Sequence, residues 1–259
     1  MISLTTRQWE YYRDLIFELT NKELKLKYKS SMLGFVWSLL LPFSHALVYF
    51  IAFKYILRIK VENYALFLIV GLFVWQWFAN SILAGTGAVL SNGNLIKKTK
   101  FPYEFLVIAV IISEWLHFIL AFVTIFIFLG VYGIPPNTYW VFIPFLMVVQ
   151  SIMNTGSAFL VASVTVFFRD MVWFINIFLN MFFYLTPIIY PIEMIPDRLR
   201  IFIVDANPMA LFVALYRQII IHGTFSYEYF LLAILYSVVI FLFGWWVFAK
   251  LKWKFAEVL

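Results

Sequence analysis

The sequence predicts an all-α integral membrane protein: six transmembrane helices, an amphipathic interface helix at the N-terminal end, and two short re-entrant pieces before the last span. Three observations carry this. Of 259 residues, 64% are hydrophobic and only 12% charged, too little polar side chain to cover a soluble globule. Several apolar runs exceed the roughly 20 residues that a helix needs to cross bilayer hydrocarbon. Residues 30–53 contain no Asp, Glu, Lys or Arg, so they lack the polar–apolar alternation of a barrel strand.

Taken in order, residues 7–21 place Trp9, Tyr12, Ile16 and Leu19 at helical spacing, with Arg7, Glu10, Arg13, Asp14, Glu18 and Asn21 also in the segment. An amphipathic helix of this kind, next to a span, is expected to lie in the interface with its aromatic side down. Lys22, Lys25, Lys27 and Lys29 follow, and from Leu33 the chain turns apolar, which sets a membrane boundary near the headgroups. The first span is read as 33–57, with Pro42 and His45 inside it, and the second as 64–90 after a short charged turn. Residues 94–104 combine turn formers, Lys97, Lys98 and Lys100 with Pro102, and form a non-membrane loop of one or two helical turns.

The third span, 103–131, ends before Gly133 and the double proline 135–136, which no helix continues through. The fourth, 140–167, closes at a tight turn marked by Arg169 and Asp170, and the fifth covers 171–191, with Pro187 and Pro191 breaking its end. Residues 193–222 hold apolar pieces too short to cross and interrupted by charge, so they read as re-entrant or interfacial. Asn207 and Pro208 open a helix there, as cap and first helical residue, and Gly223 stops it. A span over 208–222 is rejected because it buries Arg217 and puts the basic tail outside. The last span is 229–249, followed by a basic tail with Lys250, Lys252 and Lys254.

Six spans put both termini on one side, with the 97–100 lysines and Arg169. Most of the chain's 19 Lys and Arg fall there, so that side is cytoplasmic. The net charge of +6 is therefore a topology signal, not a sign of nucleic-acid binding. No cleavable signal peptide is indicated in the polar first 30 residues. The absence of cysteine removes disulfides, thiolate catalysis and Cys-based metal sites from consideration.

No GxxxxGK[ST] or GxGxxG pattern occurs, so energy from a nucleotide would have to come from another chain. His45, His117 and His222 are scattered and no HExxH is present, so neither a metal site nor an enzyme is expected. Glu114 and His117 lie on one helical face about 15 Å beyond Glu104 at 1.5 Å per residue, deep in the membrane. An ionisable group there costs roughly 2.5–3.5 kcal/mol on insertion scales and needs a partner, an interface or water. A proton relay or the wall of a polar pathway is one reading; a structural tie between helices, or a neutral Glu, is the other and is favoured, since no second buried carboxylate is evident. Aromatics, 22% of residues, exceed what two interfacial belts need, and a subset could stack on sugar faces.

The segments KYKSSMLGFVWSLLLP at 27–42, NLIKKTKFPYE at 94–104, FFRDM at 167–171, YLTPIIYPIEMIP at 184–196 and NPMALFVALYRQIIIHG at 207–223 come in a specific order and spacing. Together they resemble the membrane-spanning subunits of ABC-type polysaccharide exporters, including O-antigen and teichoic-acid export permeases. The resemblance implies a homodimer enclosing a channel, with two copies of a separate ATPase that binds ATP and Mg. It implies a coupling helix at 94–104 (Asn94, Lys97, Lys98, Lys100, Pro102, Glu104), with the interface helix of Trp9, Tyr12, Arg13 and Asp14 beside it. It also implies two extracytoplasmic gate helices over 193–222, with Pro187, Tyr190, Pro191, Pro196, Asn207, Pro208 and Arg217 at the outer end. The substrate implied is a polysaccharide on an undecaprenyl-type lipid, moved across a bacterial cytoplasmic membrane. An ABC exporter of another lipid or drug is the alternative, and a proton-coupled transporter using Glu114 and His117 a further one.

Overall fold

A computed structural model describes residues 6–28, 36–56, 58, 61–98 and 101–259, and all the regular structure among them is helical. Lys100 and the 29–35 stretch leading into the first apolar run lie outside the described residues.

Helix α1 runs Thr6–Tyr28, a full turn and more beyond the expected 7–21. No Gly or Pro interrupts it, and the Lys-Glu-Leu-Lys-Leu-Lys stretch consists of good helix formers with Lys25 and Lys27 complementing the C-terminal dipole. The basic residues are thus the last turns of a helix. Helix α2 spans Val36–Phe50 and continues as a π-helical turn, Ile51–Ile56. Helix α3, Tyr64–Ala88, starts after Asn63 in the left-handed region and is buried on nearly every side, as an apolar-all-round sequence demands.

A 3-10 turn, Leu90–Asn92, leads into the six-residue α4, Gly93–Lys98. Helix α5, Glu104–Val131, stops at Gly133, whose φ of 65° closes the end as the Gly133 and Ile134 N–H groups donate back to Gly130 and Leu129 carbonyls. Helix α6 is Ile143–Phe167, entered through a 3-10 turn that Asn137 caps by accepting from the Tyr139 N–H at 2.9 Å. Helix α7, Met171–Leu185, ends six residues before the expected limit of 191. Pro187 has no N–H to donate and holds Thr186 extended, so the helix stops there.

Next come a 3-10 turn at Ile192–Met194 and α8, Asp197–Arg200, which runs on as a π-helical turn to Asp205. The chain then bends by 90° into α9, Pro208–Arg217, continued to His222 and closed by Gly223 at φ 60°. Helix α10 is Tyr227–Leu251, and a 3-10 turn leads to α11, Phe255–Val258.

Among the described residues, four helical stretches are long and apolar enough to cross a membrane: Tyr64–Lys98, Glu104–Val131, Thr138–Phe167 and Tyr227–Val258. The bent pair around Ala206 makes a fifth if counted as one span, while Phe43–Ile56 and Met171–Leu185 are shorter apolar helices. Helix α3 is the axis of the bundle, with α2, α5, α6, α7 and α9 packed around it, and α10 lies along α6. The main core gathers on α3, with Trp77 stacked on Phe118 at 4.3 Å between ring centres. A second cluster centres on the first half of α5 and joins it to α1, α4, the ends of α3 and α6, α10 and α11.

Candidate functional site: a polar cleft between two braced ends

Three constructions hold most of the residues singled out above. The first is an open cleft of about 580 Å³ bounded by α2, α3, α5 and α7 and reached by Lys27 of α1. Its lining mixes rings (Trp37, Tyr49, Trp75, Phe183, Tyr184) with polar groups (His45, Gln76, Asn80, Glu114, His117, Asn176, Asn180). Gln76 with Asn80, and Asn176 with Asn180, are each four apart on one helix, so each pair presents a polar stripe on an apolar span. Asn180 donates to the Asn176 side-chain oxygen at 3.0 Å. That i, i+4 amide pattern was the available sequence signal for the cleft, and the reading by charge alone passed over it.

Glu114 and His117 both line this cleft. Glu114, whose side chain is 2% exposed, forms an ion pair with Lys27. His117 donates from Nδ1 to the Ser113 carbonyl at 2.6 Å, one turn back. The tie is therefore between helices α1 and α5, and Lys27 is a cleft residue in place of a headgroup lysine. Helix α1 also does not keep its whole apolar side for lipid. Tyr12 meets Phe105 at 5.2 Å, Leu19 is buried, and Trp9 is 63% exposed. From Tyr12 at Phe105 to Lys27 at Glu114, α1 climbs alongside α5. Arg13 and Asp14 pair with each other at 2.9 Å on the exposed surface.

Removing Lys27 strands a buried carboxylate, whereas removing both partners does not. Lys27→Met is therefore expected to cost about 1–3 kcal/mol, with Glu114→Leu in the same chain recovering part of the loss. Thermal unfolding of the three variants in detergent checks this, and additive losses would refute the pairing.

The second construction is the end of the bundle at α4. Asn94, Lys97 and Lys98 are exposed on it and Pro102 is half-buried. Glu104 belongs elsewhere: it opens α5, is buried, and pairs with Lys252 at 2.5 Å. The expected 94–104 unit is thus a short helix followed by the start of a span. Arg169 and Asp170 are exposed in the α6–α7 turn, where the Asp170 carbonyl accepts from the Trp173 N–H at 3.0 Å.

The third construction surrounds Arg217. The residue is 4% exposed, and its guanidinium donates to three carbonyls, Phe67 at 3.1 Å, Pro187 at 2.7 Å and Ile188 at 2.6 Å, while resting 3.4 Å above the Phe67 ring. Tyr64 adds a fourth clasp, its hydroxyl donating to the Ile189 carbonyl at 2.8 Å. Residues 187–189 have left α7, so their carbonyls would otherwise be orphaned in the interior. Asn207 caps α9, accepting from the Met209 and Ala210 N–H groups at 3.0 and 3.2 Å and donating to the Thr186 hydroxyl at 3.0 Å. Residues 209–217 are buried throughout, so α9 lies inside the bundle, and the objection that this segment would bury Arg217 falls because its carbonyl partners satisfy the cation. Tyr190 donates to the Tyr184 carbonyl at 3.0 Å; Pro191 is half-buried and Pro196 exposed.

These features define a multi-pass α-helical membrane protein with a polar and aromatic cleft among its apolar helices. The chain belongs to the ABC-2 type transporter family, which matches residues 14–221. It is 38% identical over 250 residues to an O-antigen export system permease protein RfbA of Klebsiella pneumoniae, and 37% to a second protein of that name from the same organism, covering 96% of each chain. An RfbA of Myxococcus xanthus with the same description is 31% identical over 214 residues, 82% of each chain.

Proposed function

We propose that this chain is the channel-forming permease subunit of an ATP-driven exporter that moves lipid-linked, O-antigen-like polysaccharide across the bacterial cytoplasmic membrane. The observation that carries the reading is similarity to O-antigen export permeases over 96% of the chain. Two physical features support it. The sequence contains no phosphate loop, so the energy source is a separate ATPase, two copies of which serve a homodimer and bind ATP and Mg. The cleft offers rings for the C–H faces of sugars beside amides for their hydroxyls, a lining suited to a polymer that slides past many similar contacts.

In this reading the helices beginning at 36, 64, 104, 143, 171 and 227 make six spans, both termini are cytoplasmic, and α8 and α9 form the gate at the outer end. Helix α4 is the coupling helix, with Lys97 and Lys98 toward the ATPase and Lys100 continuing the basic run. The geometry of Glu114 favours the structural tie over a proton relay, so transport should persist in Glu114→Gln.

The test is export itself. Deleting the gene should remove the glycan from the cell surface and leave it inside, and the tagged chain should co-purify an ATPase. Lys97→Glu with Lys98→Glu should lower export at least tenfold with the inserted amount unchanged. Normal surface glycan in the deletion strain would overturn the reading.

A further inference from the structure

The lysine-rich end beyond α10 is not a solvated tail. Phe255 is fully buried, its ring 5.4 Å from Phe248, 6.2 Å from Phe167 and 6.5 Å from Tyr103. Lys252 reaches Glu104 at the start of α5. Leu259 covers the start of α4, since a Cβ built on Gly93 would stand 3.6 Å from the Leu259 Cβ.

Helix α4 needs such support. Six residues make less than two turns, far below the length at which a helix holds itself in water, and Ile96 is its one buried side chain. Its place must come from what it leans on: the 3-10 turn before it, where Lys22 of α1 reaches the Asn92 side chain, and the 252–259 segment behind it. The exposed residues Asn94, Lys97 and Lys98 are then presented as a fixed bump.

We propose that residues 252–259 are a buttress that sets the position of α4, and that α4 engages the partner ATPase only while this segment is docked. The proposal rests on the reading of α4 as the coupling helix. Phe255, Lys252 and Glu104 are positioning residues in it, acting through the placement of α4.

The chain has no cysteine, so an introduced pair reports without background. Gly93→Cys with Leu259→Cys, in the full chain co-expressed with its ATPase, should form a disulfide on mild oxidation, because the Cβ separation is near the roughly 3.8 Å of natural bridges. Phe255→Ala should lower both disulfide yield and the co-purified ATPase at least threefold, with inserted protein unchanged. Driving the cysteine pair to complete oxidation with excess oxidant in that background should restore ATPase recovery, and reduction should remove it again; a role in stability alone gives no such redox dependence. If Phe255→Ala lowers insertion, Lys252→Glu takes its place, with Glu104→Lys in the same chain expected to restore recovery.

Failure of the disulfide to form overturns the proposal. So does full ATPase recovery in the undocked variant while Lys97→Glu with Lys98→Glu abolishes it, an outcome that leaves the coupling reading standing. If the α4 charge reversals leave recovery unchanged, the coupling reading fails and this proposal with it.

Discussion

Arg217→Ala should destabilise the protein by more than about 3 kcal/mol, the largest loss expected from any single side-chain truncation outside the helix–helix contacts. The guanidinium satisfies the Pro187 and Ile188 carbonyls and shares the Phe67 carbonyl, and each buried acceptor left unpaired costs about 1–3 kcal/mol. Ala also abandons the space above the Phe67 ring. Arg217→Lys should fall between, since an ammonium keeps the charge but lacks the planar fork that reaches three oxygens at once. Gly71 belongs to the same seat: a Cβ there would stand 2.5 Å from the arginine Nη2. Gly71→Ala should therefore be harmful in the native chain and much less so beside Arg217→Ala, a coupling that a double-mutant cycle measures. Unfolding in detergent, with membrane yield as a second readout, checks the order; equal midpoints for Arg217→Ala and the native protein would refute the brace. Tyr64→Phe, which frees only the Ile189 carbonyl, should cost about 1 kcal/mol.

The same arginine shows where the sequence was legible and where it was not. The ends of helices α3, α5, α6 and α10 fall within a few residues of the expected limits because long apolar runs stop at proline, glycine or a basic residue, and those are local signals. The Asn207–Pro208 start and the Gly133 and Gly223 stops are local too, for capping and left-handed backbone involve neighbours only. What escaped was every cation that found its partner at a distance. Arg217 and Phe67 are 150 positions apart, Lys252 and Glu104 are 148 apart, and Lys27 and Glu114 are 87 apart. A charge count treats each such cation as bound for water, and it therefore reads the α9 segment as re-entrant or interfacial, Lys252 as part of a basic tail and Lys27 as lying near the headgroups. Carbonyls or a carboxylate supplied by another element remove that requirement. Periodicity along one segment holds no trace of them.

A close backbone approach of α6 and α10 is likewise invisible to hydropathy, and it yields the second large prediction: Gly244→Leu should prevent the chain from accumulating. A Cβ on Gly244 would lie 1.9 Å from the Gly156 carbonyl oxygen, and one on Gly156 would lie 2.3 Å from the Phe241 Cα. Both obstacles are backbone, so no side chain can yield, and any larger residue must drive α6 and α10 apart. In lipid such a contact rests on van der Waals packing between small residues, because apolar burial against hydrocarbon offers little. Helix α10 has few other anchors: Leu231, Leu235, Val239, Leu242, Phe243 and Trp246 all point outward. A loss above about 4 kcal/mol follows for Gly244→Leu, with Gly244→Ala and Gly156→Ala intermediate. On the proposal that the segment after α10 is a buttress for α4, milder variants at Gly244 should lose ATPase recovery before they lose insertion. Gly87 and Gly130 supply the control, since a Cβ at either meets nothing within 4 Å; Ala there should be neutral or stabilising by up to about 1 kcal/mol through helix propensity. Native-like accumulation and melting of Gly244→Leu would mean that α6 and α10 do not touch through these glycines.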